Sequence, residues 1–325
     1  MDEKFYRGEV EPVLFRVFYL MVLLSVGVVA VFFETTKATA EENSRAVRHN
    51  RSLSIAVGGD VMFGRAVENG WRAHGTERPF GIWTKILVKA DLAFINLETG
   101  ICEQGRTGGN RPLFWAPPDR LDALVNAGID VVSVANNHVL DCGPRGLDST
   151  LVELKRRRIF AAGVAPGGTV RVGRDVVVFA ATQHRPPYRS SGKSPFVQTR
   201  RGPFFHELSD DTFIKNIARI RRSNSRKLLI ASLHWGKERS DRPAAFQQVL
   251  AQQMINAGAN AIVGHGPHAA QLYELYRQGI ILYSLGNLVF DDRTKIGRPQ
   301  PPAVLRFIRG NKGWQFKSIS WRRRQ

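Results

Sequence analysis

The segment SLSIAVGGDVMFG, residues 52–64, decides the fold class of this chain. Its apolar run from Leu53 to Val57 is typical of a short strand buried on both faces, and two glycines and Asp60 follow it directly. Similar apolar runs occur at 92–95, 131–134, 176–180, 228–232, 261–263 and 280–283, and amphipathic helical patterns occur at 119–127, 146–157 and 244–257. Strands that alternate with helices predict an α/β architecture with a largely parallel sheet.

The N-terminal region predicts an anchor ahead of this domain. Residues 17–33 (VFYLMVLLSVGVVAVFF) carry no charge and follow Arg16, which is typical of a single transmembrane helix. The alternative is a cleaved signal peptide, because Ala38-Thr39-Ala40 has the small-x-small form that signal peptidases accept. We expect a cytoplasmic tail with an anchor or signal over 1–33, a polar linker over 34–51, and one extracytoplasmic domain over 52–325 at the cell membrane.

Basic residues dominate the charge of the chain. Lysine and arginine number 47 against 28 acidic residues, which gives a net charge of +19. Such a charge favours contact with an anionic partner, which could be nucleic acid, lipid headgroups or an acidic polymer. Nucleic acid is not expected, because no recognition motif accompanies the charge and the domain is predicted to be exported. The basic runs lie at 155–158, 219–227 and 322–324, and each is also consistent with a solvated face or tail.

Side chains that bind or orient cations follow five of the predicted strands. They are Asp60, then Asn96 and Glu98, then Asn136, Asn137, His138 and Asp141, then His234, and finally His265 and His268. The carboxyl ends of strands are the ligand-binding edge of an α/β sheet, so these groups are expected to converge. Any one of them alone would more often be a turn former, a helix cap or an ordinary hydrogen-bonded histidine.

Agreement among five strand ends therefore favours a metal site. Carboxylate, amide and imidazole ligands together suit Mn, Fe or Zn better than Mg or Ca. About six candidate ligands favour two divalent ions, with Glu98 as the bridging carboxylate. Four further histidines lack such a position and are treated as ordinary: His49, His74, His184 and His206.

Six motifs in order carry a family resemblance. They are GDVMFGR (59–65), NLE (96–98), ANNHVLDCG (135–143) with Gly146-Leu147, HWGKE (234–238), GHGPH (264–268) and YSLGN (283–287). Together they resemble the CapA-type proteins of poly-γ-glutamate capsule biosynthesis, within the calcineurin-like metallophosphatase superfamily. The resemblance extends from about residue 53 to 292. It implies a four-layer fold, in which a β-sandwich is flanked by helices.

The resemblance also implies roles for individual residues. The metal ligands would be Asp60, Glu98, Asn137, His234, His265 and His268. The catalytic pair would be His138, which steadies the reacting phosphate or protonates a leaving group, and Asp141. Substrate contacts are expected from Arg65, Asn96, Trp235, Glu238, Ser284 and Asn287, some of which could instead support the ligands or form a buried strand end. The superfamily has Asp-x-His in its first motif, and Met62 stands where that histidine would be.

Two cysteines lie at matching distances from this proposed site. Cys102 is four residues after Glu98, and Cys142 is four residues after His138. If Glu98 and His138 meet, the two sulfur atoms are neighbours, and we expect a disulfide that joins the two loops. Buried free thiols or a cysteine metal site are the alternatives.

Two functions are consistent with the sequence. The first is metal-dependent hydrolysis of a phosphate ester, in an envelope component or a polymer intermediate. The second is a non-catalytic, membrane-tethered accessory that binds a polyanion such as poly-γ-glutamate and works with a polymer synthase complex. The Asn137-His138 pair favours the first function, whereas Met62 favours the second.

Overall fold

The computed structural model describes residues 52–74, 79–105, 113–164, 167–184, 211–291, 297–311 and 313–322. The predicted anchor and linker over 1–51 lie outside these residues. The chain divides into an N-terminal unit, residues 1–48, and a second unit, residues 49–325. Within the described part of the second unit, no helix is both long and apolar enough to cross a membrane.

The second unit is a mixed α/β structure, as the sequence predicts. Its described strands are β1 (Ser52–Val61), β2 (Leu92–Leu97), β3 (Gly100–Ile101), β4 (Trp115–Ala116), β5 (Val131–Ser133), β6 (Phe160–Ala162), β7 (Thr169–Val172), β8 (Val176–Thr182), β9 (Leu228–His234), β10 (Ala261–His265), β11 (Tyr273–Tyr276), β12 (Gly279–Leu282), β13 (Asn287–Val289), β14 (Ala303–Gly310) and β15 (Gly313–Ser320).

Its described α-helices are α1 (Arg65–His74), α2 (Thr84–Leu87), α3 (Asp122–Asn126), α4 (Gly143–Arg156), α5 (Asp211–Ser223) and α6 (Ala245–Asn256). Two 3-10 helices precede α2 and α3, at Gly81–Trp83 and Pro118–Leu121. The single helix predicted over 119–127 is therefore two short pieces, and its first piece begins at a proline. Helix α4 begins three residues before its predicted start, because Pro144 fits the first turn of a helix.

Two large sheets carry the fold in the described part of the chain. The first has the order β15-β14-β1-β2-β5-β6, and β13 pairs with β1 near its carboxyl end. Strands β1, β2, β5 and β6 are parallel, and the hairpin β14–β15 adds an antiparallel edge. The second sheet has the order β11-β12-β10-β9-β8-β7, with four parallel central strands and an antiparallel strand at each edge.

Each sheet packs one face against helices. In the first core, Ala93 and Ile95 of β2 lie among leucines from α2, α3 and α4. In the second, Val177 and Phe179 of β8 pack against residues of α5 and α6, such as Ile217. A fully buried apolar side chain contributes about 1.5–3 kcal/mol, so this packing holds the layers together.

The other faces of the two sheets are also buried and meet each other. Residues on these other faces, such as Val57 of β1 and Ile230 of β9, have no exposed surface. The ring of Phe94 on β2 lies edge-on to the imidazole of His265 on β10, with centroids 6.1 Å apart. The carboxyl ends of the two sets of parallel strands therefore come together at one edge of the molecule.

The backbone at the end of β1 requires glycine. A Cβ atom on Gly59 would lie 1.9 Å from the carbonyl oxygen of Gly286, which no real contact allows. The amide of the next residue, Asp60, donates a 2.9 Å hydrogen bond to that same oxygen. This close approach seats Asp60 between two strands, β2 and β13.

Candidate metal centre

Asp60 lies at the centre of the shared edge and is fully buried. Its register partners are Asn96 on β2 and Asn287 on β13. The Asn96 side-chain amide donates to Asp60 Oδ1 at 2.9 Å, and the Gly266 amide donates to Oδ2 at 3.3 Å. Buried carboxylates need such partners, and these two fix the orientation of Asp60.

Glu98 follows β2 and faces three imidazoles. Its Oε1 atom lies 3.7 Å from Nε2 of His234, 3.8 Å from that of His268 and 3.9 Å from that of His138. These separations are too long for hydrogen bonds. Within the described residues, neither carboxylate oxygen of Glu98 has a hydrogen-bond partner, although both are buried. Ligand atoms that share one cation at about 2 Å stand apart by distances of this order.

The second sheet contributes histidines from the end of β10 and the loop after it. His265 pairs in register with His234 of β9, and its Nδ1 lies 3.4 Å from Asp60 Oδ1. His268 Nδ1 lies 3.1 Å from Asp60 Oδ2 and 2.9 Å from Asn287 Oδ1. His268 also has a φ of 56°, a left-handed conformation that residues other than glycine seldom adopt.

These groups can hold a divalent cation. One ligand atom each from Asp60, Glu98 and His234 lies within 4.8 Å of the others, and all three residues are buried. The buried oxygens of Glu98 and the ring nitrogens of His265 have no hydrogen-bond partner among the described residues. A cation would satisfy these atoms, so the residues present fit a metal.

The protonation of the cluster reflects its burial. Burial raises the pKa of the Glu98 carboxyl well above its ordinary value and lowers the pKa of His234 well below. For Asp60, burial opposes ionisation, but contacts with His265 and His268 lower its pKa well below the usual range. Burial also disfavours the charged form of His268, yet Glu98 and Asp60 raise its pKa to about 10. A proton on His268 thus supplies positive charge between the two carboxylates in the metal-free protein.

His138 stands at the side of the cluster and is firmly oriented. Its Nδ1 lies 2.6 Å from Asp141 Oδ2, and that oxygen also accepts from the backbone amide of Phe114 at 2.7 Å. The Phe114 ring stacks on the imidazole, with centroids 3.7 Å apart and planes 14° from parallel. Asp141 and Phe114 therefore hold the ring so that Nε2 faces Glu98.

The sequence of the chain matches a known protein family. The family model "Bacterial capsule synthesis protein PGA_cap" matches residues 54–292, which include every residue of the cluster. The chain belongs to this family.

Three relatives illustrate the family. The chain is 28% identical to the capsule biosynthesis protein CapA of Bacillus anthracis, over 82% of this chain and 67% of that protein. It is 28% identical to the PGA biosynthesis protein CapA of Bacillus subtilis, over 74% of this chain and 63% of that protein. It is 31% identical to a probable polyglutamine synthesis accessory protein of Mycobacterium tuberculosis, over 75% of this chain and 76% of that protein. The chain thus spans about two thirds of the length of the two Bacillus proteins.

Four of the six expected substrate contacts are buried in the interior of the domain. Trp235 has no exposed surface, and its indole N–H donates to the carbonyl oxygen of Tyr283 at 3.0 Å. Asn96, Ser284 and Asn287 are also fully buried. Asn96 positions Asp60 and Asn287 positions His268, so the structure gives both a supporting place behind the ligands rather than a place at the surface.

The remaining predicted residues lie nearer to solvent. Arg65 is exposed, pairs with Asp291 at 3.1 Å, and places its guanidinium carbon 5.5 Å from the centre of the Phe114 ring. Glu238 is exposed in the loop after β9. Asn137 is half-buried in the turn that carries His138.

Cys102 and Cys142 form a disulfide in the structure. Cys102 follows β3 and Cys142 immediately precedes helix α4. A Cβ atom on Gly100 would lie 3.1 Å from the Cys142 sulfur, so the bridge is closely packed. It joins the loop after Glu98 to the turn that carries His138.

Two residues beside the centre were not predicted as site residues. His184, treated above as ordinary, lies 5.6 Å from His234 between ring centroids, and its Nε2 lies 2.9 Å from the carbonyl oxygen of Gly236. The position of His184 could have been predicted, because it follows the carboxyl end of β8 just as His234 lies at the carboxyl end of β9. Phe114 comes from a loop before the two-residue strand β4, where no sequence period predicts a position.

Proposed function

We propose that this chain is a metal-dependent phosphoesterase that works in the synthesis of an anionic cell-envelope polymer of the poly-γ-glutamate type. The observation that carries the proposal is the buried Glu98 oxygen with three imidazole nitrogens 3.7–3.9 Å away. The names of the relatives, which refer to capsule and PGA biosynthesis, support the polymer context.

Two divalent ions, of Mn, Fe or Zn, complete the proposed centre. Asp60 and His268 would hold one ion and Asn137, His234 and His265 the other, with Glu98 shared between them. Such ions supply Lewis acidity that activates water and neutralises the charge on a phosphate group. The stacked layers of helix, sheet, sheet and helix support the four-layer metallophosphatase fold.

The protein's own residues supply positioning and proton transfer. His138 is turned towards the centre by Asp141, and the carboxylate stabilises a proton on the imidazole while Nε2 faces the reacting group. His138 thus provides a proton for the departing oxygen. Arg65 is exposed beside Phe114 and binds a second anionic group of the substrate.

The proposed location is the outer side of the cell membrane, with the domain tethered by residues 17–33 or released after cleavage of that segment. A polymer synthase complex is the proposed working partner. Support comes from the uncharged N-terminal segment and from the disulfide, which forms in oxidising compartments.

The test is metal content and turnover of the purified full-length chain. We expect wild type to retain Mn, Fe or Zn and to hydrolyse a generic phosphodiester or phosphomonoester, with loss on chelation and recovery on adding Mn. His265→Ala removes a proposed ligand and should lower both. Metal-free wild type with no turnover under any added ion would refute the proposal.

A non-catalytic accessory role is the second candidate. Met62 is fully buried and occupies the position where the superfamily has a histidine ligand, so one imidazole is absent. One relative is itself named a synthesis accessory protein. Metal retention without turnover, together with salt-sensitive polymer binding, would favour this role.

A further inference from the structure

A cleft separate from the metal centre lies between the edge strand β7 and helix α5. Its volume is about 610 Å³. Its lining includes Arg171 and Arg219, the hydroxyl of Thr169, and the aliphatic side chains of Val177 and Ile220. It therefore combines cationic groups with an apolar floor.

The charge of the cleft is unbalanced. Its lining contains no acidic residue among the described part of the chain. Other arginines of the domain pair with carboxylates, for example Arg120 with Glu68 at 2.7 Å and Arg309 with Asp175 at 2.9 Å. Within the described ranges, neither Arg171 nor Arg219 has such a pair, and both are exposed.

The side chain of Arg219 is oriented by a hydrogen bond to Asn216, one turn earlier in helix α5. Its Nη2 atom donates to Asn216 Oδ1 at 2.7 Å, and Asn216 is only 8% exposed. A guanidinium has five N–H donors, so this single bond orients Arg219 and leaves other donors for a ligand. Preorganisation of this kind lowers the entropic cost of binding an anion.

The strand register separates the cleft from the metal centre. Val177 pairs with Leu229, whereas Thr182 at the other end of β8 pairs with His234. At about 3.3 Å per residue, roughly 17 Å of strand separates these two levels. No cleft residue belongs to the cluster around Glu98.

We propose that this cleft binds a segment of a linear polycarboxylate chain. Two carboxylates of the segment pair with Arg171 and Arg219, while its methylene groups lie on Val177 and Ile220. The choice of ligand rests on the proposed polymer function. A concave cleft with an aliphatic floor fits an extended chain, whereas a flat bilayer surface would be met by protruding cations. The polymer is thus held away from the centre that acts on a phosphate group.

The experiment is calorimetric binding of poly-γ-glutamate of defined length to the full-length chain in detergent. Arg171→Ala/Arg219→Ala should weaken binding at least about tenfold, because charge-assisted hydrogen bonds are lost. The matched control is Arg222→Ala/Arg226→Ala, which removes the same charge from exposed residues outside the cleft lining. It should change affinity by less than about threefold.

The inference is overturned if wild type does not bind poly-γ-glutamate, or if the two double variants lose polymer affinity equally. It is also overturned if Glu98→Gln loses polymer affinity while the cleft variant keeps it. A fourth contrary result is that the cleft variant binds anionic phosphatidylglycerol vesicles more weakly but binds the polymer normally. The cleft variant should retain its metal and its turnover of a small phosphoester. Failure of turnover in every protein would instead refute the proposed catalysis, and would leave polymer binding as a separate result.

Discussion

The two sheets contribute different chemistry to the same centre. The first sheet supplies acids and amides, namely Asp60, Asn96 and Glu98, together with the lateral imidazole of His138, whereas the second supplies the imidazoles of His234, His265 and His268. The groups of the first sheet are tied to one another, since Asn96 donates to Asp60 and Asn136 donates to Asn96 at 3.1 Å. Most of the contacts across to the imidazoles are longer than hydrogen bonds. The centre therefore exists only where the sheets meet, and a cation is the natural link between them.

Breaking the link at Glu98 has the largest expected effect. Glu98→Gln keeps the size of the side chain but removes the carboxylate that faces three imidazoles, so metal affinity should fall by more than about 100-fold. Loss of a residue that only supports a ligand typically lowers metal affinity by about 10–100-fold. The metal-free variant should unfold at a temperature no lower than that of metal-free wild type, because a buried carboxyl without a hydrogen-bond partner becomes a neutral amide, which offsets the lost attraction to the protonated His268. Metal analysis and thermal unfolding with and without Mn measure both effects.

Glu238→Gln is the matched control, since it makes the same chemical change at an exposed acid beside the centre. It should retain metal and show wild-type unfolding. Retention of full metal occupancy by Glu98→Gln would contradict the role given to Glu98.

Removal of the disulfide tests how much it stabilises the two loops that follow strands of the first sheet. Cys102 and Cys142 are 40 residues apart, and a loop of this length predicts a loss of about 4 kcal/mol in unfolding free energy for Cys102→Ser/Cys142→Ser. Denaturant unfolding of the double variant and of reduced wild type should agree. Because the bridge joins the loops of Glu98 and His138, metal affinity should also fall. An unchanged unfolding midpoint would show that the bridge adds nothing to the fold.

The pH dependence of metal affinity and of stability tests the contribution of the second sheet, through His268. The metal-free protein holds a proton on His268 with a pKa of about 10, and a metal ligand must be neutral. Metal affinity should therefore rise by at least about tenfold per pH unit as pH increases towards 10, because the metal displaces the His268 proton and also any proton on Glu98, whose pKa is raised as well. The raised pKa stabilises the metal-free fold fully below the unfolded value near 6.5, and this contribution disappears as pH rises through 10. His268→Gln should flatten both profiles, and an equal slope in that variant would assign the proton elsewhere.

Replacement of Arg65, which is not one of the proposed metal ligands of either sheet, has the smallest expected effect. The side chain of Arg65 is 44% exposed and pairs with Asp291, so Arg65→Ala should change unfolding free energy by less than about 1 kcal/mol. Metal content should remain unchanged, while the Michaelis constant for an anionic phosphoester rises. Steady-state kinetics separate this result from a metal effect, because a fall in kcat alone would place Arg65 in the chemical step.

The seven predicted apolar runs all fall on strands of the two sheets, because each run is followed by glycine or a polar group. Short or half-exposed strands such as β3, β4, β6, β7, β11 and β13 were not predicted, because they have no apolar run of their own. The convergence of Asp60, Glu98, His234 and His265 followed from the rule that parallel strands present their carboxyl ends together. The predicted helix over 119–127 was less accurate, since short 3-10 pieces leave no clear period.

Burial was the harder quantity to predict. Trp235 follows a ligand, yet it continues the apolar face of Leu229, Ala231 and Leu233 in β9 and lies in the second core. That alternation was readable from the sequence. The positions of Phe114 and Asp291 were not, because they depend on how distant loops pack.

The pairing of β13 with β1 has a consequence for biosynthesis. Asp60 is made early, but its neighbour Asn287 and the His268 side chain that Asn287 contacts come more than two hundred residues later. The candidate ligands therefore cannot come together until nearly all of the domain has been synthesised and has reached the compartment where it folds. Metal bound at this site would thus indicate that both synthesis and folding of the domain are complete.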